Sequence, residues 1–323
     1  MARSSAMSGT AIAAEDEPIP AIPKSSPRVS DTRRESSRVA GVTVGGNPGA
    51  RPDIPAPAHR GGRRAARFVR MDLIWSSGDA APSTGLSDDD VRDAYPWPGS
   101  TSARRWVRAM MVTTLDGAAA GPDGLSGSIS SSVDKAVFHA VRRLADAVLV
   151  GAGTVRAEGY GPIRAAAADV TARAEAGLAP APVLAIVSGS LDLDFTGGLF
   201  TESTVRPIVI TGAAPDPDRA ALAHEHCDLV ATSEPRPSAA SILAILEDRG
   251  LRRVVCEGGP TLLESLVAEG LLDEADITVS PTFAGTGSTP RTSGLESVAG
   301  FELAHVLTAD SFLMCRYVRA AAG

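Results

Sequence analysis

Short apolar runs alternate with stretches of helical periodicity from Arg105 onward, and this alternation limits the possible folds more than any other feature. Trp106–Val112 and two similar runs further along are typical of buried strands, whereas Ser131–Ala145 spaces its apolar residues as a helix does. Such alternation predicts an α/β domain with a mainly parallel sheet and helices on both faces. Two consecutive strand patterns near the end, Glu302–Leu307 and Phe312–Val318, predict an antiparallel C-terminal edge.

Two segments of different composition precede this domain, which we place at residues 105–319. Residues 1–70 contain eight prolines, one aromatic residue, and 12 Lys and Arg against 6 Asp and Glu. They offer too little apolar surface to offset chain entropy, so we predict a disordered tail, followed by an N-terminal extension at 71–104. The alternative is that Met71 is the true start, which a native peptide from before Met71 would exclude.

Composition argues against several classes of partner. No apolar run approaches the ~20 residues that cross a bilayer, and aromatic residues make up only 4% of the chain. The part after residue 70 is acidic, with 19 Lys and Arg against 32 Asp and Glu, so nucleic acid and membrane are not expected partners. The three cysteines are isolated, which predicts a reduced, cytoplasmic protein without a metal site.

Glycine-rich turns follow two of the predicted strands, near Gly151 and near Gly258. Glycine lets a backbone approach a ligand closely, and the free N–H groups at a helix start favour an anion. Two such turns in one sheet therefore favour a phosphate or dinucleotide ligand, although each alone could be an ordinary tight turn. Neither matches the Rossmann fingerprint or the P-loop. The residues concerned are Gly151, Gly153, Thr154, Gly258, Gly259, Pro260 and Thr261.

Five motifs in this order resemble the C-terminal reductase domain of the bifunctional riboflavin-biosynthesis deaminase/reductase, which has the dihydrofolate reductase fold. The motifs are Thr114–Gly117, Ile129–Ser131, Leu149–Glu158, Glu257–Pro260 and Gly270–Glu274. The resemblance covers about residues 105–319. The zinc-deaminase half of that family has an HxE and PCxxC pattern, which this sequence lacks.

The resemblance implies an NADPH-dependent oxidoreductase that reduces a phosphorylated ribosylaminopyrimidine, and it implies a homodimer. The glycine turn with Val155, together with Glu257–Thr261, would hold the cofactor diphosphate. Ser188, Gly189 and Ser190 resemble the region near the adenosine 2′-phosphate, although they could equally form a polar turn.

Three carboxylates are the candidate catalytic residues that the resemblance implies. Glu257 ends a strand at the mouth of the expected crevice and could accept hydrogen bonds from a substrate ring or from the nicotinamide amide. Glu158 occupies the position of a family aspartate, or it is a surface acid at a helix end. Asp116 would anchor a loop beside the nicotinamide, or it is a turn acceptor.

Basic and hydroxyl side chains are the candidates for substrate binding. Arg142 matches a family arginine that grips the substrate phosphate, and its fork geometry suits that role, although it could be a solvated helix residue. Arg164 lies one position away from a second such arginine. Ser130 and Ser131 stand where the family has a Thr-Ser pair, and they could instead cap the following helix.

Asp134 and Phe138 lie four residues apart on the first predicted helix and so share one face. Dihydrofolate reductases have a similar pair that binds the pterin, which keeps dihydrofolate reduction open as an alternative activity. Asp134 could instead be a first-turn acid that the helix dipole favours. Two family lysines are replaced, by Met110 and Ala118, and this loss favours a second alternative, a non-catalytic nucleotide-binding protein.

Overall fold

The computed structural model describes residues 70–78, 80–99, 104–285 and 295–320. These residues form one eleven-stranded sheet flanked by eight α-helices. The strands are β1 Met71–Ser76, β2 Ser83–Leu86, β3 Trp106–Thr113, β4 Ala147–Gly151, β5 Val183–Val187, β6 Ile208–Thr211, β7 Asp228–Ala231, β8 Arg253–Cys256, β9 Glu274–Val279, β10 Phe301–Ala309 and β11 Phe312–Arg319. The helices are α1 Asp88–Asp93, α2 Ser132–Arg142, α3 Ala152–Glu158, α4 Val170–Glu175, α5 Gly198–Thr201, α6 Pro217–His226, α7 Ala239–Glu247 and α8 Pro260–Ala268.

The sheet has the order β2-β1-β10-β11-β9-β3-β8-β4-β5-β6-β7. Strands from β9 through β3 to β7 are parallel, whereas β2, β1, β10 and β11 form an antiparallel edge. The predicted fold class is therefore confirmed. Because parallel strands end at one edge, the turns after β8, β4 and β5 are neighbours, and this is where ligands bind in open α/β sheets.

Helices cover both faces of the parallel half, as predicted. The amphipathic helix α2 packs Val133 and Val137 against Met110 of β3 on one face. On the other face, α7 and α8 contribute Leu243 and Leu266 to a second buried cluster. Alternating side chains of the central strands thus face two cores, which fixes the register of β3, β4 and β8 and the position of their carboxyl ends.

The segment before β3 is part of this sheet, although its sequence showed only turn chemistry. β1 pairs with β10 and β2 pairs with β1, and α1 packs beside α2. The reason is a tertiary contact: the guanidinium of Arg108, fully buried in β3, donates to the backbone carbonyls of Tyr95 and Pro96. It also lies 3.9 Å from the centre of the Trp97 ring and pairs with Glu274. No local pattern predicts such a contact.

Two further predictions from the sequence concern the N-terminal tail and membrane-spanning segments. The disordered tail predicted at residues 1–70 lies outside the described residues, apart from Arg70. Within the part of the chain that the structure describes, no helix combines the length and apolar character that crossing a membrane requires.

Candidate active site

The two glycine-rich turns meet at the carboxyl edge of the sheet. β4 and β8 are adjacent and parallel, with Leu149 paired with Cys256. Just beyond this pair, the Gly151 N–H donates to the Gly258 carbonyl at 2.9 Å. A Cβ added to Gly151 would lie 3.4 Å from the Gly259 nitrogen. The expected convergence of the turns is therefore present as a direct backbone contact.

Close approach explains why glycine occupies the second turn. Gly258 has a φ of +108°, a conformation that disfavours side chains. A Cβ on Gly259 would lie 2.9 Å from Thr154 Oγ1. Gly259 is the N-cap of α8, and Pro260 and Thr261 form its first turn, so the free N–H groups of α8 open beside Thr154.

A third turn, after β5, completes the row of strand ends. Ser188 is buried, and its hydroxyl accepts the Leu191 N–H at 3.0 Å. The Ser190 hydroxyl accepts the Asp192 N–H at 3.4 Å. Both hydroxyls therefore act within the turn, as the polar-turn interpretation predicts. A Cβ on Gly189 would meet nothing within 4 Å, so this backbone remains open to a ligand.

Glu257 is the centre of the polar contacts at this edge. It follows β8 directly, and its N–H donates to the Leu149 carbonyl at 3.0 Å. Arg142 donates to its carboxylate through both Nε and Nη2, and the Tyr160 hydroxyl donates to Oε2 at 3.0 Å. The Glu257 side chain is only 1% exposed, whereas that of Arg142 is 21% exposed. A buried carboxylate thus receives a guanidinium fork and a phenol.

Charge and burial shift the pKa values of Arg142 and Tyr160. Burial alone would lower the pKa of Arg142, but the Glu257 carboxylate outweighs it and raises that pKa. Burial, and next the charge of Glu257, raise the pKa of the Tyr160 phenol, so the phenol remains a donor at neutral pH. Arg142 also lies 4.1 Å from the centre of the Phe138 ring. The arginine predicted to hold a phosphate is therefore bound to Glu257 in this structure.

Asp134 lies on the same face of α2, one helical turn before Phe138. Its Oδ2 accepts the Ser130 hydroxyl at 2.6 Å, and its N–H donates to the Ser131 hydroxyl at 3.4 Å. Ser131 is thus the N-cap of α2, as one of its two interpretations predicts. Asp134 is buried, and its Oδ1 lacks a hydrogen-bond partner among the described residues. An unpaired buried acceptor of this kind suits a ligand that donates.

Asp116 joins two loops at the edge of the site. Its carboxylate accepts the Thr114 hydroxyl and the N–H groups of Ala284 and Gly285, the latter at 2.7 Å. The hydrogen bond from Thr114 is the main cause of a lowered Asp116 pKa. This geometry corresponds to the loop-anchoring interpretation and leaves the carboxylate engaged with protein atoms.

Glu158 also contacts a loop. As the last residue of α3, it accepts the Ser126 N–H through Oε1 at 2.8 Å. It thereby ties the glycine-rich loop 114–128 to α3, the helix that begins at Ala152. Val155 of the same helix has a buried side chain in the core, and its carbonyl accepts the N–H groups of Gly159 and Tyr160.

We expect Glu158→Ala to release loop 114–128, because the Ser126 N–H would lose a charged acceptor. Hydrogen exchange at the Ser126 amide should rise about 10-fold, the factor that one hydrogen bond to a charged group implies. Glu158→Gln keeps an acceptor oxygen and is the matched control, with a smaller rise expected. Equal exchange in Glu158→Ala and the unmodified chain would contradict this anchoring role.

Three expected cations are absent from the site or lie away from it. Arg164 pairs with Glu202 at 2.9 Å, and both side chains are more than half exposed, so it does not join Arg142 and Glu257. Met110 packs in the core beneath α2, where the family has a lysine. Ala118 is buried, and its N–H donates to the Thr114 hydroxyl at 2.8 Å. Arg142 is therefore the cation at the Glu257 carboxylate.

Tyr160 is a residue of the candidate site that was not predicted from the sequence. The available signal was its position directly after Gly159, which ends α3 in the left-handed conformation with a φ of 62°. Such an ending turns the chain sharply and places the next side chain back over the edge of the sheet.

Sheet order, crossover helices and paired glycine turns place the protein in the dihydrofolate reductase-like class of α/β folds. A solved pyrimidine reductase-like protein from Corynebacterium diphtheriae has the same fold, with a TM-score of 0.65 at 23% identity, over 72% of this chain and 99% of that one. The deaminase/reductase of Thermotoga maritima superposes with a TM-score of 0.54 at 24% identity, over 68% of this chain and 58% of that one.

The chain belongs to the RibD C-terminal domain family, whose model matches residues 105–313. The resemblance deduced from the five motifs is thereby confirmed. A 2,5-diamino-6-ribosylamino-4(3H)-pyrimidinone 5′-phosphate reductase from Archaeoglobus fulgidus is 26% identical over 194 residues, covering 60% of this chain and 88% of that protein. The riboflavin biosynthesis protein RibD of Mycobacterium tuberculosis is 30% identical over 54% of this chain, but only 41% of its own length is matched. Membership of this family makes the chain an oxidoreductase.

Proposed function

We propose that the chain catalyses NADPH-dependent reduction of a phosphorylated ribosylaminopyrimidine. The observation that carries this proposal is the hydrogen bond from Gly151 to Gly258, because it joins two glycine-lined turns into one cradle beside Glu257. The names of the archaeal relatives support the substrate class, since both are reductases of a ribosylaminopyrimidinone 5′-phosphate.

A dinucleotide would lie across the ends of β8, β4 and β5. Neighbouring strands are about 4.8 Å apart, so three strand ends span about 10 Å, and adjoining loops extend the row. The N–H groups of α8 and the turn at Gly151–Thr154 would bind the diphosphate. The open backbone at Gly189 would approach the adenosine half.

The bound cofactor would supply the hydride, and the protein would supply position and electrostatics. Glu257, held by Tyr160 and, before substrate binds, also by Arg142, would accept hydrogen bonds from the cofactor amide or from the substrate ring. The unpaired Oδ1 of Asp134 would accept an amino group of the aminopyrimidine, with the Phe138 ring beside it. Loop 114–128, held by Asp116 and Glu158, would exclude water.

The test is steady-state oxidation of NADPH by the purified chain with the pyrimidinone 5′-phosphate of the archaeal relatives. We expect saturable turnover with NADPH. Absence of turnover while NADPH still binds would favour the non-catalytic alternative. Absence of both would refute the proposal.

Dihydrofolate is the second candidate substrate, and one observation favours it. Asp134 is a buried carboxylate with an unpaired oxygen beside an aromatic ring, which suits the amidine edge of a pterin as well as a diaminopyrimidine. The same assay with dihydrofolate decides between them, because we expect the sugar phosphate substrate to have the higher kcat/KM.

We also propose that the chain forms a homodimer through an uncovered apolar face at the antiparallel edge of the sheet. Trp75, Val306, Cys315 and Ile277 lie in one row across β1, β10, β11 and β9. All four side chains are partly exposed, whereas the adjacent residues Leu307, Met314 and Asp276, which point to the opposite face of β10, β11 and β9, are buried. An apolar row of this kind suits a two-fold contact with a second copy.

We expect Ile277→Arg to convert the dimer to a monomer at micromolar concentration, because it places a charge within the apolar row. Sedimentation velocity measures the change. Asp310→Arg, on the β10–β11 turn outside the row, is the control and should remain dimeric. A monomeric unmodified chain would refute the dimer.

We also propose a cytoplasmic location, where the three thiols would stay reduced. Cys227 and Cys256 are buried, and burial raises the pKa of each thiol to about 12. They therefore behave as packing residues rather than nucleophiles. Fractionation of cells that produce the protein tests the location.

A further inference from the structure

One oxygen of Glu257 is shared by two donors. Oε2 receives both Arg142 Nη2 and the Tyr160 hydroxyl, whereas Oε1 receives Arg142 Nε. The Glu257 side chain is almost fully buried, so solvent cannot replace a lost donor. If Arg142 leaves this buried carboxylate, another donor must still hydrogen-bond to it.

The two donors differ in freedom to move. Tyr160 is fixed by the turn after α3, where its N–H donates to the Val155 carbonyl at 3.2 Å and its ring packs against the core. Arg142 has a long side chain that is partly exposed, and its guanidinium carbon lies 4.1 Å from the centre of the Phe138 ring. A guanidinium can swing on such a ring without losing that contact.

We propose that Tyr160 is a positioning residue that allows Glu257 to release Arg142 to an anionic group of the substrate. This inference rests on the proposed function, since it takes the substrate to be a sugar phosphate. When the phosphate draws the guanidinium away, the phenol stays on Oε2 and keeps the buried carboxylate hydrogen-bonded. A phenol is protonated across the neutral range, and burial raises the pKa of Tyr160 further, so the donor is present there.

The sign of the effect follows from the competition for Oε2. Without the hydroxyl, Glu257 depends on Arg142 alone and holds it more tightly, so anion binding weakens. Without the negative charge on Glu257, Arg142 is held less tightly, so anion binding strengthens. Tyr160→Phe and Glu257→Gln should therefore change phosphate affinity in opposite directions.

The experiment is calorimetric titration of the full chain with ribose 5-phosphate, and with ribose as the uncharged control. We expect Tyr160→Phe to raise the Kd for ribose 5-phosphate about 10-fold, the factor of one hydrogen bond to a charged group, and to leave the Kd for NADPH unchanged. Tyr317→Phe, on β11, removes a phenol oxygen elsewhere and should have no effect. Glu257→Gln should lower the Kd, and adding Tyr160→Phe to it should change nothing further.

Each other outcome overturns the inference. An unchanged Kd in Tyr160→Phe, equal losses for NADPH and ribose 5-phosphate, or weaker binding in Glu257→Gln would each contradict the shared oxygen. If Tyr160→Phe fails to fold, the direction of the Glu257→Gln change decides alone. An unmodified chain that turns over the pyrimidinone phosphate but does not bind ribose 5-phosphate refutes this inference and leaves the proposed function standing. Failure of turnover with normal ribose 5-phosphate effects refutes the proposed function instead.

Discussion

Gly153→Ala is expected to leave the fold intact and to weaken nucleotide binding by about 10- to 100-fold. A Cβ at this position meets nothing within 4 Å, so the methyl group disturbs no packing in the protein itself. Alanine in the first turn of α3 should even raise the unfolding free energy, by up to about 1 kcal/mol. We place the cofactor diphosphate in the open space beside Gly153.

Two measurements on the same variant therefore separate binding from stability. Thermal unfolding should be unchanged or slightly raised, whereas the Kd for NADPH should rise. Gly300→Ala is the matched control, because its added Cβ also meets nothing within 4 Å, and it precedes β10, away from the turns. A variant of Gly153 that binds NADPH as tightly as the unmodified chain would show that no ligand approaches this turn.

Arg142→Ala is expected to have a double effect. It leaves the carboxylate of Glu257, 1% exposed, without its cation, which should lower the unfolding free energy by about 3 kcal/mol. It also removes the cation proposed for the substrate phosphate, which should raise the Kd for that substrate about 100-fold. The Kd for NADPH should change far less, because Arg142 does not line the glycine turns.

The double variant Arg142→Ala with Glu257→Gln separates these effects. Neutralising Glu257 removes the unpaired buried charge, so much of the lost stability should return, whereas phosphate affinity should not. Arg143→Ala is the control, since that side chain pairs with Asp169 at 3.2 Å rather than with Glu257. Equal losses of substrate and NADPH affinity in Arg142→Ala would refute its assigned role.

Sequence periodicity predicted the parallel half of the sheet because its central strands, β8, β4, β5 and β6, are short apolar runs buried on both faces. β4 and β5 are examples, and their bounds matched the apolar runs closely. α6 escaped prediction because its apolar periodicity is weak, although Asp216 caps it and Pro217 begins it. β1 and β2 escaped because their pairing with β10 depends on contacts distant in sequence.

The candidate site, like the fold, could be predicted only where it depends on local sequence and not where it depends on contacts between distant residues. The local sequence indicates glycine-rich turns at Gly151 and Gly258, and the structure brings these turns together. The partners of Glu257 are 115 and 97 residues away in sequence, so no spacing rule links them. The resemblance implied that Arg142 binds the substrate phosphate. Only the three-dimensional contacts show that, in this structure, Arg142 is paired with a carboxylate of the protein.

An equilibrium titration of the purified chain with NADPH and NADH, followed by the nucleotide fluorescence, tests whether the turns at Gly151 and Gly258 form one cradle for a pyridine nucleotide. Such a cradle should give saturable binding of one nucleotide per chain, and a marked loss of that binding in Gly153→Ala. Failure of both nucleotides to saturate at millimolar concentration would contradict it.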